Sequence, residues 1–262
     1  MIRINDFSDK FRRELSLVCH GSPYGARIES YYNAYIGARY SFVEFWLCSC
    51  GDAPITAICR YYNSVIICGE CGDEAENFVA MLSPHSVLTS AENKILINGF
   101  TRREGETMVY RPTSDILMPL LDKRFVLRRS EGDMLSLHDT YSLLSDVFSI
   151  GSPAPFDDYF VDMSHRVRHG VSDVYNVYWG DEPISTLSVF AISESAAVLG
   201  GIATKRTYQH QGIASAVLRS VTETLSEHGR CIFLHRERKI GIYEKCGFQP
   251  TGRWAQLDRQ VK

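Results

Sequence analysis

The stretch Gly200-Gly201-Ile202-Ala203-Thr204-Lys205-Arg206-Thr207-Tyr208-Gln209-His210-Gln211-Gly212-Ile213-Ala214-Ser215 has the residue types to hold an anion. A buried strand is expected to end near Thr204, and a helix to begin near Gly212. The first turn of a helix leaves amides without intrahelical acceptors. They gather partial positive charge, and a phosphate fits against them. Gly212 lets a ligand approach the backbone, while Ala214 and Ser215 keep the first turn narrow. Gln209, His210 and Gln211 are expected to add side-chain donors. Taken alone, a strand, a glycine turn and a helix is equally an ordinary β-α turn.

A second chemistry lies in the eight cysteines, five of them between residues 48 and 71. Cys48-Ser49-Cys50 and Cys68-Gly69-Glu70-Cys71 could together make a four-thiolate zinc site. Their spacing matches no standard zinc knuckle, and Cys48 and Cys50 fall in a strand-like run. A free cysteine there is a small buried hydrophobe. Met1-Ile2-Arg3-Ile4-Asn5-Asp6 lacks a signal-peptide core, so a disulfide framework is not expected either. The expectation is buried thiols, no metal and a cytoplasmic location.

The positioning elements follow from periodicity. Phe42–Cys48 and Ile55–Cys59 flank Gly51-Asp52-Ala53-Pro54, and Val174–Trp179 and Ile184–Val189 flank Gly180-Asp181-Glu182-Pro183. Both read as hairpins of β-branched and aromatic runs. Each is followed by a third strand-like run, Ser64–Cys68 or Ala197–Ile202, and Asn98-Gly99-Phe100 parallels Cys246-Gly247-Phe248. These parallels predict an internal repeat. The boundary is placed near residues 111–123, where Arg111-Pro112-Thr113-Ser114-Asp115 reads as a turn. No low-complexity linker divides the halves, which are therefore expected to pack together.

In the second half, a strand at Arg124–Arg128 precedes helices over 133–148 and 156–170. Three strands reach about residue 204, and a long helix over 211–228 stops at His228-Gly229. Cys231–Leu234 is a short buried strand, Ile240–Cys246 a short helix, and a last strand carries Trp254. That order is an α/β (α+β) layer architecture with a mixed sheet. Among the 262 residues, 45% are hydrophobic and 23% charged, with a formal net charge of −3. These values exclude a disordered chain and give no general attraction to nucleic acid or to an anionic membrane.

Gln209-His210-Gln211-Gly212-Ile213-Ala214 resembles the Arg/Gln-x-x-Gly-x-Gly/Ala signature of the GNAT N-acetyltransferase superfamily. The preceding Gly-Gly-Ile-Ala-Thr is similar to that family's fourth strand, and Ile242-Tyr243-Glu244-Lys245-Cys246-Gly247-Phe248 resembles its Tyr-x-x-x-Gly-Phe block. The resemblance covers residues 124–258. It implies tandem GNAT-like acyl-CoA N-acyltransferase domains, with a degenerate unit over 1–123 and an acetyltransferase over 124–262. Only the second has a cofactor loop, since Gly69-Glu70-Cys71-Gly72-Asp73-Glu74 would put acid where phosphate should sit.

The resemblance implies acetyl-CoA as cofactor. Its pyrophosphate would rest on amides of Gln209, His210, Gln211, Gly212, Ile213, Ala214 and Ser215, and its pantetheine arm along Ile202, Ala203 and Thr204. The fourth and fifth strands would splay apart, and a backbone amide would stabilise the oxyanion. Tyr243 aligns with the family's general-acid tyrosine, a phenol of pKa about 10. It could instead be a helix aromatic packed on the sheet.

No carboxylate lies on Val198–Thr204, and Glu194 is expected in a hairpin turn. His235, ending the fifth strand, is the candidate base, with an unperturbed pKa of about 6.5. It reads equally as a solvated strand exit, and a water chain could replace a single base. Positions where the family often has Asn and Ala hold Arg236 and Lys239. Arg236, Arg238 and Lys239 could contact phosphate or form a surface group.

The implied reaction is direct acetyl transfer to a primary amine of a small molecule or peptide, without nucleic acid or membrane. The acceptor pocket is expected between the loop around 149–156, the second helix and the strands near Trp254. Phe156, Tyr159, Phe160, Tyr178 and Trp179 make it potentially aromatic, although most are expected in the core. The alternative is a non-catalytic CoA-binding or interaction module.

Overall fold

The computed structural model describes residues 1–4, 8–37, 40–51, 53–111, 119–148 and 155–260. Its elements run twice through one order. The first run is β1 (Ile2–Ile4), α1 (Asp9–Cys19), α2 (Pro23–Tyr35), β2 (Val43–Cys50), β3 (Ala53–Tyr61), β4 (Ser64–Gly69), α3 (Asp73–Leu82), β5 (Ser86–Ser90) and β6 (Phe100–Tyr110). The second is β7 (Val126–Arg129), α4 (Met134–Phe148), α5 (Phe156–Arg168), β8 (Asp173–Trp179), β9 (Glu182–Ile192), β10 (Ala196–Thr204), α6 (Ile213–Ser226), β11 (Cys231–Arg236), α7 (Ile242–Lys245) and β12 (Phe248–Arg259). The second run adds only a 3-10 turn at Arg206–Tyr208 and the short α7. The internal repeat read from the two hairpins is thus present in the fold. The expected boundary turn falls largely on residues 112–118, outside the described residues, as does Asp52 of the first hairpin turn.

The strands form one 12-stranded sheet in the order β1-β2-β3-β4-β5-β12-β6-β11-β10-β9-β8-β7. Each half gives its last strand to the other. β6 pairs with β11 (Phe233↔Val109, His235↔Thr107), and β12 pairs with β5 (Trp254↔Ser90, Leu257↔Val87). β6 and β12 then pair with each other from Phe248↔Tyr110 to Arg259↔Phe100. The Gly-Phe parallel marks their starts: Gly99 and Gly247 take left-handed φ of 81° and 85° just before Phe100 and Phe248. The parallel pairs β4–β5 and β10–β11 hold equivalent places in the two halves.

Helices cover both faces. α1 and α2 pack Leu15, Cys19 and Ile28 on Phe45, Cys59 and Cys68, and α3 packs Ala75 and Val79 on Trp46, Ile58 and Val65 of the reverse face. α4 and α5 lie over Val174, while α6 seats Ile213, Val217 and Val221 on Leu187, Leu199 and Leu234 across the sheet. α2 reaches beyond its own half: Ala26 packs with Val198 and Phe233. Sequence periodicity did not delineate α1 and α2. Their signals are caps: Ser8 Oγ accepts from the Phe11 amide, and Ser22 Oγ from the Gly25 amide, with Pro23 opening α2.

The alternation that buries both sheet faces also separates the cysteines. Cys48 joins the α3 face, whereas Cys59 and Cys68 join the α1/α2 face. Cys50 is exposed. The two cysteine pairs therefore do not converge, and no group of three or more His, Cys, Asp or Glu among the described residues could hold a metal. No described helix is long and apolar enough to cross a membrane.

Candidate active site

β10 and β11 pair only from Ala196↔Cys231 to Leu199↔Leu234. Beyond that point β10 follows β9, reaching Thr204↔Ser185, while His235 and Arg236 follow β6. Irregularities at Val198/Leu199 and Gly200/Ala203 bend β10 away, as bulges do. The edge of Gly200–Thr204 that would face β11 therefore has no strand partner. Gly200 is required at this bend, because an added Cβ would lie 2.2 Å from the Phe190 ring. Ile202 is half-buried in the split, with Ala203 and Thr204 buried behind it.

Below the split, the 3-10 turn leads through His210 (φ 62°) and Gly212 (φ 78°) into α6. The amides of Ile213, Ala214 and Ser215 form its first turn, which lacks intrahelical acceptors. That turn carries no acidic residue, whereas α3 opens with Asp73, Glu74 and Glu76. An added Cβ at Gly212 would meet only the Pro119 ring, at 3.5 Å. The two glutamines do not serve as free donors: Gln209 Nε2 donates to the Thr204 carbonyl (3.0 Å), and Gln211 Nε2 to the Thr207 carbonyl (3.3 Å). They stiffen the loop. Lys205 Nζ is bound to Glu182 at 2.9 Å. Backbone amides are therefore what this loop offers an anion.

Tyr243 lies on α7, edge-on to Phe248 with 6.4 Å between ring centres. Burial raises its pKa, against the pull of the nearby Arg236 cation. Arg236 is itself buried and committed: its Nε donates to Glu106 (2.7 Å) and its Nη1 to Glu244 (2.7 Å). It is a structural ion pair rather than a phosphate ligand, while Arg238 and Lys239 are exposed.

His235 faces the other side of the sheet, among Tyr24 and Arg27 of α2, Thr107 of β6 and Trp254 of β12. Its ring centre is 5.6 Å from Tyr24 and 6.1 Å from Trp254. It is not a solvated strand exit, since its Nε2 is buried and has no hydrogen-bond partner. Burial, aided by the Arg27 charge, pushes its pKa down to about 3. The imidazole is therefore neutral at physiological pH. Arg27 Nε and Ser188 Oγ are also buried without partners, and Tyr24 Oη and Thr107 Oγ1 are buried beside each other with no well-formed hydrogen bond. Burial pushes Tyr24 up to about 12. Tyr24, Arg27 and Thr107 escape sequence reasoning because they belong to the other half. The signal for the first two is the Ser22-Pro23 helix start, which puts Tyr24 and Arg27 three residues apart on one face.

The residues expected to form an acceptor pocket are not gathered together. Phe156, Tyr159 and Phe160 cluster with Tyr141 between α4 and α5. Tyr178 Oη donates to Asp139 (2.7 Å), and the exposed Trp179 lies 5.9 Å from Tyr208. Trp254 donates from its indole to the Arg236 carbonyl (3.2 Å), beside His235. A cavity of about 490 Å³ lies against α5, bordered by Tyr35, Phe42, Tyr62, Phe160 and His165. Residues 149–154 of the expected loop lie outside the described residues. Glu194 is in an exposed turn before β10, as expected.

The model of the Acetyltransferase (GNAT) family matches residues 137–248, which span α4 to the start of β12 and include the split, the loop and Tyr243. No curated protein matches the chain in sequence. Solved structures share the fold at low identity. A GCN5-related N-acetyltransferase from Kribbella flavida is 13% identical with a TM-score of 0.60, covering 90% of this chain and 96% of that one. A tandem GNAT protein from the clavulanic acid biosynthesis pathway is 9% identical with a TM-score of 0.59, covering 100% and 98%. A GNAT-family acetyltransferase from Colwellia psychrerythraea is 12% identical with a TM-score of 0.56, covering 99% of each. The fold is thus shared along the whole chain with a tandem GNAT protein, and within the C-terminal half residues 137–248 match the Acetyltransferase (GNAT) family model.

Proposed function

We propose that the chain is an acetyl-CoA-dependent N-acetyltransferase acting directly on a primary amine of a small molecule or peptide. Residues 124–262 are the catalytic unit, and residues 1–123 a degenerate unit interlocked with it. The observation that carries this reading is the strand split that opens beside an acid-free helix start. The groups present fit acetyl-CoA: an unpartnered strand edge at Gly200–Thr204, and first-turn amides beside a left-handed Gly212. When bound, acetyl-CoA supplies an acyl group activated as a thioester.

The amides from Gln209 to Ser215 hold the pyrophosphate, and the main chain of Ile202, Ala203 and Thr204 lines the pantetheine arm. Tyr243 Oη holds the proton that a leaving thiolate needs, and burial keeps that phenol protonated. His235 sits where an acceptor amine would arrive, but its pKa of about 3 makes it a weak proton sink. Its role is therefore to orient the amine through the neutral Nε2, with water taking the proton. That same low pKa is the observation favouring the alternative, a non-catalytic CoA-binding module. Eight free cysteines, among them the buried Cys19, Cys59 and Cys68, suit the reducing cytoplasm.

Calorimetric titration with acetyl-CoA tests the reading. Micromolar binding to the wild type, lost in Gly212→Glu, is the expected result. A wild type that binds no acetyl-CoA would refute it. Binding without transfer to any amine would leave the CoA-binding module.

A further inference from the structure

Two arginines flank Phe190 on the α2 face of the sheet, Arg166 buried and Arg27 half-buried. Arg166 is fully engaged: it donates to both carboxylate oxygens of Asp162 (3.1 and 3.2 Å from Nε) and to the Phe190 carbonyl (2.9 Å). Arg27 is not. Its guanidinium lies over the Phe190 ring, 5.6 Å from the centre, with no carboxylate beside it and its Nε buried without a partner. A guanidinium never loses its charge in a protein, so burying part of it without a partner carries a cost. Five hydrogen-bond donors in a fixed fork suit a carboxylate.

The position of Arg27 matters as much as its lack of a partner. Phe190 abuts Gly200 and Gly201, where β10 leaves β11. On the other side of the split, His235 is the first β11 residue past the last β10 pair, and it feels the Arg27 charge. Arg27 therefore sits above the split, on the face opposite α6 and its phosphate loop. Tyr24 Oη, Thr107 Oγ1, Ser188 Oγ and His235 Nε2, four of the other buried polar atoms without a partner, lie around the same opening. Arg166, the other cation acting on Arg27, is neutralised by Asp162, and the remaining groups beside Arg27 are neutral, with no acid to satisfy it.

We infer that the N-terminal half supplies acceptor recognition, with Arg27 binding a carboxylate carried by the acceptor. The acceptor is then an amine that also bears an acid group, as a free α-amino acid does. This rests on the acetyltransferase reading. Arg27 is a binding residue that fixes specificity, and Tyr24, Thr107 and His235 orient the amine end. The N-terminal half, which has no cofactor loop, is kept because the acceptor site is incomplete without it.

The test measures CoA release with pairs of acceptors differing only in the carboxylate: glycine and methylamine, phenylalanine and phenethylamine, lysine and cadaverine. Acetyl-CoA affinity is followed in parallel by calorimetry. The expected result is turnover of at least one acid with kcat/KM at least roughly 100-fold above that of its amine. Arg27→Met should remove most of that preference while acetyl-CoA affinity stays within about twofold, as for loss of a partner from a charged pair remote from the phosphate loop. If the variant does not fold, the wild-type acid-to-amine ratio decides alone. Equal turnover of acids and amines overturns the inference, as does an acid preference that survives in a folded Arg27→Met. Acetyl-CoA binding with no transfer to any member of the pairs also overturns it. Failure of the wild type to bind acetyl-CoA strikes the acetyltransferase reading itself and takes the inference with it.

Discussion

Tyr243 and His235 stand on opposite faces of the sheet at the mouth of one split, which divides their chemistry. Tyr243 shares the α6 face with the loop before that helix; on the proposed reaction, Tyr243→Phe should slow acetyl transfer by about 10²-fold, the lower range for a lost acid. Its acetyl-CoA affinity should stay unchanged. Equal rates in steady-state assays would remove Tyr243 from the reaction. His235 lies on the α2 face beside Tyr24, and its burial makes acid destabilising. Its folded pKa of about 3 lies below the unfolded value of about 6.5. The unfolded chain therefore binds an extra proton between those values. The contribution of a neutral His235 is intact above about pH 6.5 and falls as pH drops toward 3. Urea midpoints of wild type and His235→Gln should diverge over that window, by up to about 1.4 kcal/mol per pH unit. Parallel curves would show that the ring protonates freely. The strand end, loop and helix start over 202–215 and the helix turn at Tyr243 were legible as elements because each is local. The orphaned partners of His235 were not, because nothing near residue 235 in sequence names residues 24, 27 and 107.

Among the elements, β6 is the one that joins β12 to β11 at the centre of the sheet. It runs between β11 and β12, and at Gly105 the neighbours come very close. An added Cβ there would lie 2.2 Å from the Arg236 carbonyl and 2.6 Å from the Trp254 ring. Gly105→Ala should therefore cost about 1–3 kcal/mol, the range for overpacking a filled site. It should also loosen Trp254 beside His235. Urea denaturation followed by tryptophan fluorescence checks both, and an unchanged midpoint would mean that the strands separate without cost. The hairpins β2–β3 and β8–β9, helix α6 and the start of β12 were legible from alternation, helical spacing and glycine stops. Strand partners were not. Alternation tells which face a residue takes, but not which strand lies alongside.

For the whole molecule, the strand exchange makes the halves mutually dependent. Without β5 and β6, β11 has an open edge and β12 lacks both its neighbours. Unpaired edges of this kind invite association. Residues 1–123 and 124–262, expressed separately, should be insoluble or should self-associate by exchanging strands. Expressed together, they should form a 1:1 complex that binds acetyl-CoA. Size-exclusion chromatography with light scattering checks this. A monomeric, well-folded 124–262 that binds acetyl-CoA like the full chain would show the exchange to be dispensable.

The sequence by itself determined the two hairpins and their Gly-Phe parallel, the element order of the second half, the glycine turn into a helix at 209–215 and the acidic stretch at 69–74. Each of these is written in neighbouring residues, through helix-end dipoles, glycine conformations and periodic burial. Only the tertiary structure decided that β6 and β12 change places, that Arg236 is tied up by Glu106 and Glu244, and that Tyr24, Arg27 and Thr107 meet His235 at the split. Those contacts join residues up to 211 positions apart, and strand order across a sheet follows from the packing of all the strands together.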